Sequence, residues 1–272
     1  MARFATLYSG SSGNSAVICQ ETPAGGEFLL VDVGKNCKQT LLALQSLGLQ
    51  PQGLRGILIT HEHADHISGL RVFGKKHPVP VYASAATLAA LTAQEAVAPG
   101  VPLVPMEAQP QRIAGFGVQA FAASHDAAGC CGFRVQCADG SRMGIVTDLG
   151  FVSPTVYDGL RGCGLVALES NYDRGMLWMG RYPYYLKSRI ASGQGHLSND
   201  DCAEAVAQLL AEGCTRFALC HLSRENNLPE LARAAVLQRL QQDERFTPLQ
   251  LAAGALTVQV SPRDAVSAWI DF

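Results

Sequence analysis

A chain of 272 residues, 48 % of them apolar, can bury a sizeable core, which excludes a disordered or fibrous protein. Charged residues are only 16 % and the net charge is −2, so no global charge points to nucleic acid or membrane, and any such surface is local. There is no apolar run of membrane-spanning length, no export signal at the start and no paired CxxC spacing among nine cysteines; we expect a cytoplasmic protein, one domain over 1–272, with reduced, buried thiols.

Residues 3–8 and 15–20 are predicted strands around Ser9-Gly10-Ser11-Ser12-Gly13-Asn14-Ser15. That loop of small side chains is either a plain hairpin turn or a close approach to a ligand or phosphate, with Ser12 and Asn14 as candidate substrate contacts. Phe28 to Asp32 is an apolar strand ending in an acid, followed by a helix through Leu41, Leu42, Leu44 and Leu47 that Gly48 closes. Gly56-Ile57-Leu58-Ile59 reads as a buried strand, and Thr60-His61-Glu62-His63-Ala64-Asp65-His66 follows it. Val79 to Tyr82 is a short strand, Ser84 caps a helix through Leu88 and Leu91, and the proline-rich stretch Ala98 to Pro110 is expected to be a loop.

Val118 to Ala123 is a strand running into Ser124-His125-Asp126. Gly132 to Cys137 and Arg142 to Val146 form a hairpin about Ala138-Asp139-Gly140, and the second strand ends at Thr147-Asp148. Leu165 to Leu168 is a strand ending at Glu169. Asn171 to Gln194 is polar and aromatic without a clear period. Ser198 or Asn199 caps a helix through Ala205, Val206, Leu209 and Leu210. Arg216 to Cys220 is a strand ending at His221, a helix runs from Pro229 to about Gln241, and Leu249–Ala252 and Leu256–Val260 are strand-like.

One pattern recurs: an apolar strand ends, and a potential ligand follows, at Asp32, His61, His125, Asp148, Glu169 and His221. Layered α/β structures bind ligands at one sheet edge, where such ends gather. A shared edge gives four or five imidazoles and at least two carboxylates, too many for one tetrahedral zinc and suited to two divalent metals of the Zn, Mn or Fe type. Taken alone, Asp32 is either a helix N-cap or a group that orients a ligand from behind, and the second is preferred because His61 to His66 already supplies four candidate ligands. Glu169 is either an exposed acid or a group acting behind the ligands or on the substrate side.

His61-x-His63-x-Asp65-His66 resembles the signature of the metallo-β-lactamase superfamily, and Asp32, His125, Asp148 and His221 fall in the order of its other motifs. The loop at Ser11 to Ser15, Ser124-His125-Asp126-Ala127, Thr147-Asp148-Leu149-Gly150, Glu169-Ser170-Asn171, Gly195-His196-Leu197-Ser198-Asn199 and His221 to Asn227 narrow the resemblance to the YycJ/WalJ-like branch, which is similar to RNase Z-type phosphodiesterases and exonuclease-like. The resemblance implies an α/β fold: a four-layer αβ/βα sandwich of two mixed β-sheets flanked by helices. It implies that His61, His63 and His125 hold one metal, that Asp65, His66 and His221 hold the other, and that Asp148 bridges them. His196 matches the histidine placed near the leaving group. Gly129-Cys130-Cys131-Gly132 departs from the branch, with two cysteines in place of a proline-containing turn, and puts Cys130 within possible reach of the metals.

The expected chemistry is hydrolysis of a phosphodiester, with Asp65 or Asp148 orienting the attacking water and His196 protonating the leaving oxygen. Asn171, Arg174, Arg181 and Lys187 are candidate substrate contacts, because positive charge interleaved with Trp178, Tyr182, Tyr184 and Tyr185 suits phosphate contact and base stacking; the other reading of that segment is a packed lid. The first rival is a hydrolase of a carbonyl substrate, a lactone or thioester, on the same two metals. A metal-dependent binding protein and an iron redox protein are the others.

Overall fold

The computed structural model describes residues 1–22, 25–107, 109–252 and 254–272. The first half runs β1 (Ala2–Gly10), β2 (Gly13–Thr22), β3 (Gly25–Val31), α1 (Cys37–Ser46), β4 (Leu54–Leu58), α2 (Ala64–Ile67), α3 (Leu70–Lys76), β5 (Val81–Ala83), α4 (Ala85–Ala93) and β6 (Leu103–Pro105). The second runs β7 (Gln111–Ile113), β8 (Phe116–Ala122), β9 (Cys131–Gln136), β10 (Arg142–Val146), α5 (Pro154–Leu160), β11 (Leu165–Glu169), α6 (Arg174–Met179), α7 (Tyr184–Ile190), α8 (Asn199–Ala211), β12 (Arg216–Cys220), α9 (Pro229–Gln241), β13 (Thr257–Val260) and β14 (Ile270–Asp271).

The strands form two seven-stranded sheets, in the orders β14-β1-β2-β3-β4-β5-β6 and β13-β12-β11-β10-β9-β8-β7. Each sheet is mixed: β1 to β3 pair antiparallel and β3 to β6 parallel, while β7 to β10 pair antiparallel and β10 to β13 parallel. Alternation along the strands builds three apolar layers. In β3, Leu29 and Val31 face the layer between the sheets while Phe28 and Leu30 face that under α1, α3 and α4. In β11, Leu165 and Ala167 face the middle layer while Val166 and Leu168 meet residues of α5, α8 and α9. Burial on both faces explains why these strands read as continuous apolar runs. The result is the expected αβ/βα sandwich. Replacing a ring such as Phe28, fully buried here, by alanine costs about 3–5 kcal/mol.

Local signals acted as expected at the caps. Ser84 and Ser198 accept from the backbone amides of Thr87 and Asp201, and Gly48 follows α1 in the left-handed region; Asn36, not singled out from the sequence, caps α1 by accepting from Gln39. Three expectations are corrected. The proline-rich stretch carries β6, whose parallel pairing with β5 at a sheet edge tolerates proline; Ala108, in the same stretch, lies outside the described residues. Asn171 to Gln194 contains two short helices, α6 and α7. Leu249–Ala252 is a turn with Leu249 exposed, so its apolar residues never enter a ladder.

The pairing also fixes the edge that carries the chemistry. β1 and β8 each run parallel to a strand two places away, β3 and β10 respectively. The C-terminal ends of β1, β3 and β4 therefore share one edge of the first sheet, and those of β8, β10, β11 and β12 one edge of the second.

Candidate metal centre

Strand ends deliver the side chains. Asp32 follows β3, Asp148 stands two residues past β10 and His221 follows β12; each has φ near +60°, at 60°, 59° and 56°. His61 and His63 lie between β4 and α2, Asp65 and His66 sit in α2, and His125 follows β8. The histidine rings cluster tightly: the centroids of His61, His63 and His125 are 4.6 to 5.1 Å apart. Candidate ligand atoms lie within 4.8 Å of one another in each of four groups: His61, His63 and His125; Asp65, His66 and His221; His61, His66 and Asp148; and Asp148, Glu169, His196 and His221.

Hydrogen bonds turn one face of several imidazoles inward. Nδ1 of His66 lies 2.7 Å from Asp32 Oδ2, Nδ1 of His125 lies 3.0 Å from the Gly195 carbonyl, and Nδ1 of His221 lies 2.7 Å from Glu169 Oε1. Nδ1 of His61 lies 3.0 Å from Thr60 Oγ1, whose own proton goes to Asp32 Oδ2 at 2.9 Å. Each Nδ1 faces an oxygen to which it can donate, which turns Nε2 into the cluster as the atom a cation would take, after displacing the proton it carries in the raised His66 and His221. Nε2 of His61 and of His221 and Oδ2 of Asp148 are buried and make no hydrogen bond. Buried polar atoms are rarely left so. Lone pairs from imidazole and carboxylate, converging and unsatisfied, fit a divalent cation of the Zn, Mn or Fe type.

Two fully enclosed carboxylates brace this arrangement. Asp32 accepts from the amide and hydroxyl of Thr60 at 2.9 Å each besides its bond to His66, so it fixes the His66 ring and caps no helix. Glu169 has no exposure, which removes the exposed-acid reading. Its Oε2 accepts from the amides of Leu149 and Leu197 at 3.1 and 3.0 Å, and its Oε1 serves both His221 and His196, the latter at 2.9 Å.

Charge follows the same lines. Burial opposes a proton on His66, but the Asp32 and Asp148 carboxylates prevail and lift it to about 10. His221 is likewise raised well above its usual value against burial, by Asp148, Asp65 and Glu169. His196 is raised against burial by Glu169. Burial lowers His61 and His125. Asp148 overcomes its own burial because His221 and His66 hold it well below the carboxylate range, and Glu169 is brought to about 2 by His196 and His221.

Other candidates sit around this core. Asn14 is buried, its Nδ2 3.1 Å from both Asp65 Oδ2 and His66 Nε2, so the β1–β2 turn does approach the cluster. Ser12 is exposed and bonds Asp264 and Lys35. Asn171 is buried behind His221, donating to its carbonyl at 2.7 Å. Arg174 pairs with Asp200 and Asp201, Lys187 donates to the Trp178 carbonyl, and Arg181 is exposed. Cys130 does not turn to the ligands; its thiol contacts the Asp148 carbonyl at 3.5 Å, and burial raises it well above the usual range. Cys131 faces the Thr60 carbonyl and is pushed up to about 12 by burial. All nine thiols are buried and unpaired.

Sequence reading missed three contributors. Thr60 links His61 to Asp32 through its hydroxyl. Glu62 accepts from the Ala128 amide at 2.8 Å and ties the His61 loop to the His125 loop. Asp126 stands between His125 Nε2 at 3.3 Å and the Arg189 guanidinium. Their only sequence signal is adjacency to the histidines.

The beta-lactamase superfamily domain matches residues 28–222. The chain is 35 % identical over 243 residues to the exodeoxyribonuclease YycJ of Bacillus anthracis, covering 88 % of this chain and 89 % of that protein. It is 35 % identical over 249 residues to the exodeoxyribonuclease WalJ of Streptococcus pneumoniae, covering 88 % of each. Among solved structures, the metallo-beta-lactamase fold protein YhfI from Bacillus subtilis superposes with a TM-score of 0.69 at 14 % identity, over 98 % of this chain and 99 % of that one. That likeness shows the fold, and the sequence matches show the kinship. With its edge of imidazoles and carboxylates carrying a divalent-metal site, the chain belongs to the metallo-beta-lactamase superfamily.

Proposed function

We propose that this protein is a metal-dependent hydrolase that cleaves phosphodiester bonds of DNA as an exonuclease. The observation that carries this reading is the Glu169 carboxylate shared by His221, within the metal cluster, and His196, at its rim, because a phosphodiester leaving group benefits from a proton donor fixed beside the metals. The names of the relatives, exodeoxyribonucleases in two bacteria, support the same class.

His61, His63 and His125 would hold one cation and Asp65, His66 and His221 the other, with Asp148 between them. When bound, two such cations would lower the pKa of a water and offset charge on the phosphate oxygens. Asp65 or Asp148 would orient that water by accepting a hydrogen bond from it. Glu169 takes the Nδ1 proton of His196 in a hydrogen bond and stabilises the imidazolium, leaving Nε2 to deliver a proton to the departing oxygen. Asp32, through His66 and Thr60, keeps two imidazoles in the inward-facing tautomer.

The test is direct. Protein loaded with Mn, Zn or Fe is incubated with end-labelled single- and double-stranded DNA and RNA, and with bis-p-nitrophenyl phosphate, a lactone and a thioester. Stepwise shortening of DNA is expected. Turnover of the carbonyl substrates alone returns the assignment to the rival hydrolase class.

A further inference from the structure

Four large apolar side chains stand in water within eight residues, at Trp178, Met179, Tyr184 and Tyr185, with exposures of 46, 85, 76 and 74 %. A concentration of this kind marks a contact surface. They lie on the α6–α7 hairpin, whose two ends are tied into the loops of the metal centre. At its start the Asp173 amide donates to the Asn226 carbonyl, beyond His221, at 2.8 Å. At its end the His196 amide donates to the Ile190 carbonyl at 2.8 Å and the Ser124 hydroxyl to the Gly193 carbonyl at 2.6 Å. Built on Gly195, a Cβ would sit 2.2 Å from the carbonyl oxygens of Arg189 and Ile190, so the end of α7 is pressed against the loop that holds His125 and His196. The exposed rings are thus fixed at the rim of the site.

The charge of the hairpin narrows the partner. Arg174, Arg181, Lys187 and Arg189 face a single acid, Asp173, between 171 and 194, in a chain whose net charge is −2. Arg174 and Arg189 are paired with carboxylates, whereas Arg181 is exposed and Lys187 donates to the Trp178 carbonyl, with no ion pair to either among the described residues, so the hairpin carries positive charge not matched by a carboxylate. The Trp178 and Tyr184 rings lie side by side, with centroids 6.1 Å apart. Rings and cations together fit a strand whose bases are free to stack and whose phosphates are near; paired bases inside a duplex offer no free face.

We infer that the α6–α7 face binds the unpaired end of a DNA strand, stacking its bases on Trp178, Tyr184 and Tyr185 while the strand's terminal phosphodiesters enter the metal centre. This rests on the nuclease reading above. It assigns to the hairpin a preference for unpaired ends, separate from the hydrolytic machinery.

Two measurements test it on full-length protein. The first is intrinsic fluorescence against a phosphorothioate oligothymidylate; Trp178 and Trp269 are the only tryptophans, so a W269F background reports Trp178 alone. Quenching is expected to saturate, and Y184A/Y185A to weaken binding roughly 10-fold or more. The second is kcat/KM for a single-stranded oligonucleotide relative to that for bis-p-nitrophenyl phosphate, expected to fall roughly 10- to 100-fold in W178A/Y184A/Y185A. Absence of quenching, or an unchanged ratio, overturns the inference. So does a change of oligomeric state without loss of oligonucleotide binding, which makes the face an interface between copies. Failure of the wild-type protein to hydrolyse any phosphodiester overturns the nuclease reading instead, and the quenching arm still reads the stacking face by itself.

Discussion

Glu169 Oε1 lies 2.9 Å from Nδ1 of His196 while the same oxygen holds His221, so one carboxylate contacts both the histidine proposed as proton donor and one proposed as a metal ligand. Glu169→Gln substitutes an amide that can offer only one acceptor. Activity is expected to fall about 10- to 100-fold. The raised His196 also loses its main support, so its pKa drops. A general acid works only while protonated, and the alkaline limb of the pH–rate profile therefore moves to lower pH. A profile that loses height without moving would contradict the role given to Glu169.

Replacing His196 by alanine separates donor from ligand. The variant is expected to keep its metal, measured by elemental analysis, and to lose about 10²–10⁴ in turnover. Loss of metal in step with activity would place His196 among the ligands, as its membership of the group with Asp148, Glu169 and His221 permits.

Asp148 has an opposite expectation. It belongs to two of the four ligand groups, and its Oδ2 is buried without a hydrogen bond. Asp148→Ala should lower metal affinity by more than the roughly 10–100-fold typical of a residue that only orients a ligand. Full metal content in an active Asp148→Ala protein would end the bridging assignment.

Metal binding should be strongly pH-dependent. With its pKa at about 10 in the metal-free fold, against 6.5 in its absence, His66 carries a proton that a cation must displace. Affinity is therefore expected to rise with pH, by about 10-fold per unit for each proton released, up to the folded pKa. The sign for folding is the reverse. The raised His66 stabilises the metal-free fold fully below pH 6.5, and that contribution is lost as pH rises through about 10. Competition with a chromophoric chelator at three pH values between 6 and 8, beside melting of chelator-treated protein, measures both slopes.

How much of this was legible follows from what kind of signal each feature left. Strand ends and ligands were readable because burial on both faces makes uninterrupted apolar runs, and a polar residue closing such a run stands out, as at Asp32, Asp148 and His221. Glu169 was legible only as a candidate acting behind the ligands or on the substrate side, not as the partner of two particular histidines, since these lie 27 and 52 residues away and come together only when β11 pairs with β12. Gly34 left no signal either. A Cβ there would lie 1.8 Å from the Asp65 carbonyl oxygen, so the glycine lets β3 and α2 meet behind the metal centre. Contacts between residues remote in sequence, rather than local propensity, set the reach of Asn14 to Asp65 and the turning of Cys130 away from the ligands.

Asp32, Asp148 and His221 share a left-handed backbone at the point where each leaves its sheet. For a residue with a Cβ, that conformation costs on the order of 1 kcal/mol or more, and glycine would remove the cost. In each turn the side chain offsets that cost through the partners it holds, Asp32 binding Thr60 and His66 and His221 binding Glu169, so the strained backbone and the metal centre are kept by the same contacts. A glycine at any of the three would relax one turn and strand buried partners at the same time, so heat resistance and cleavage are tied to the same three residues.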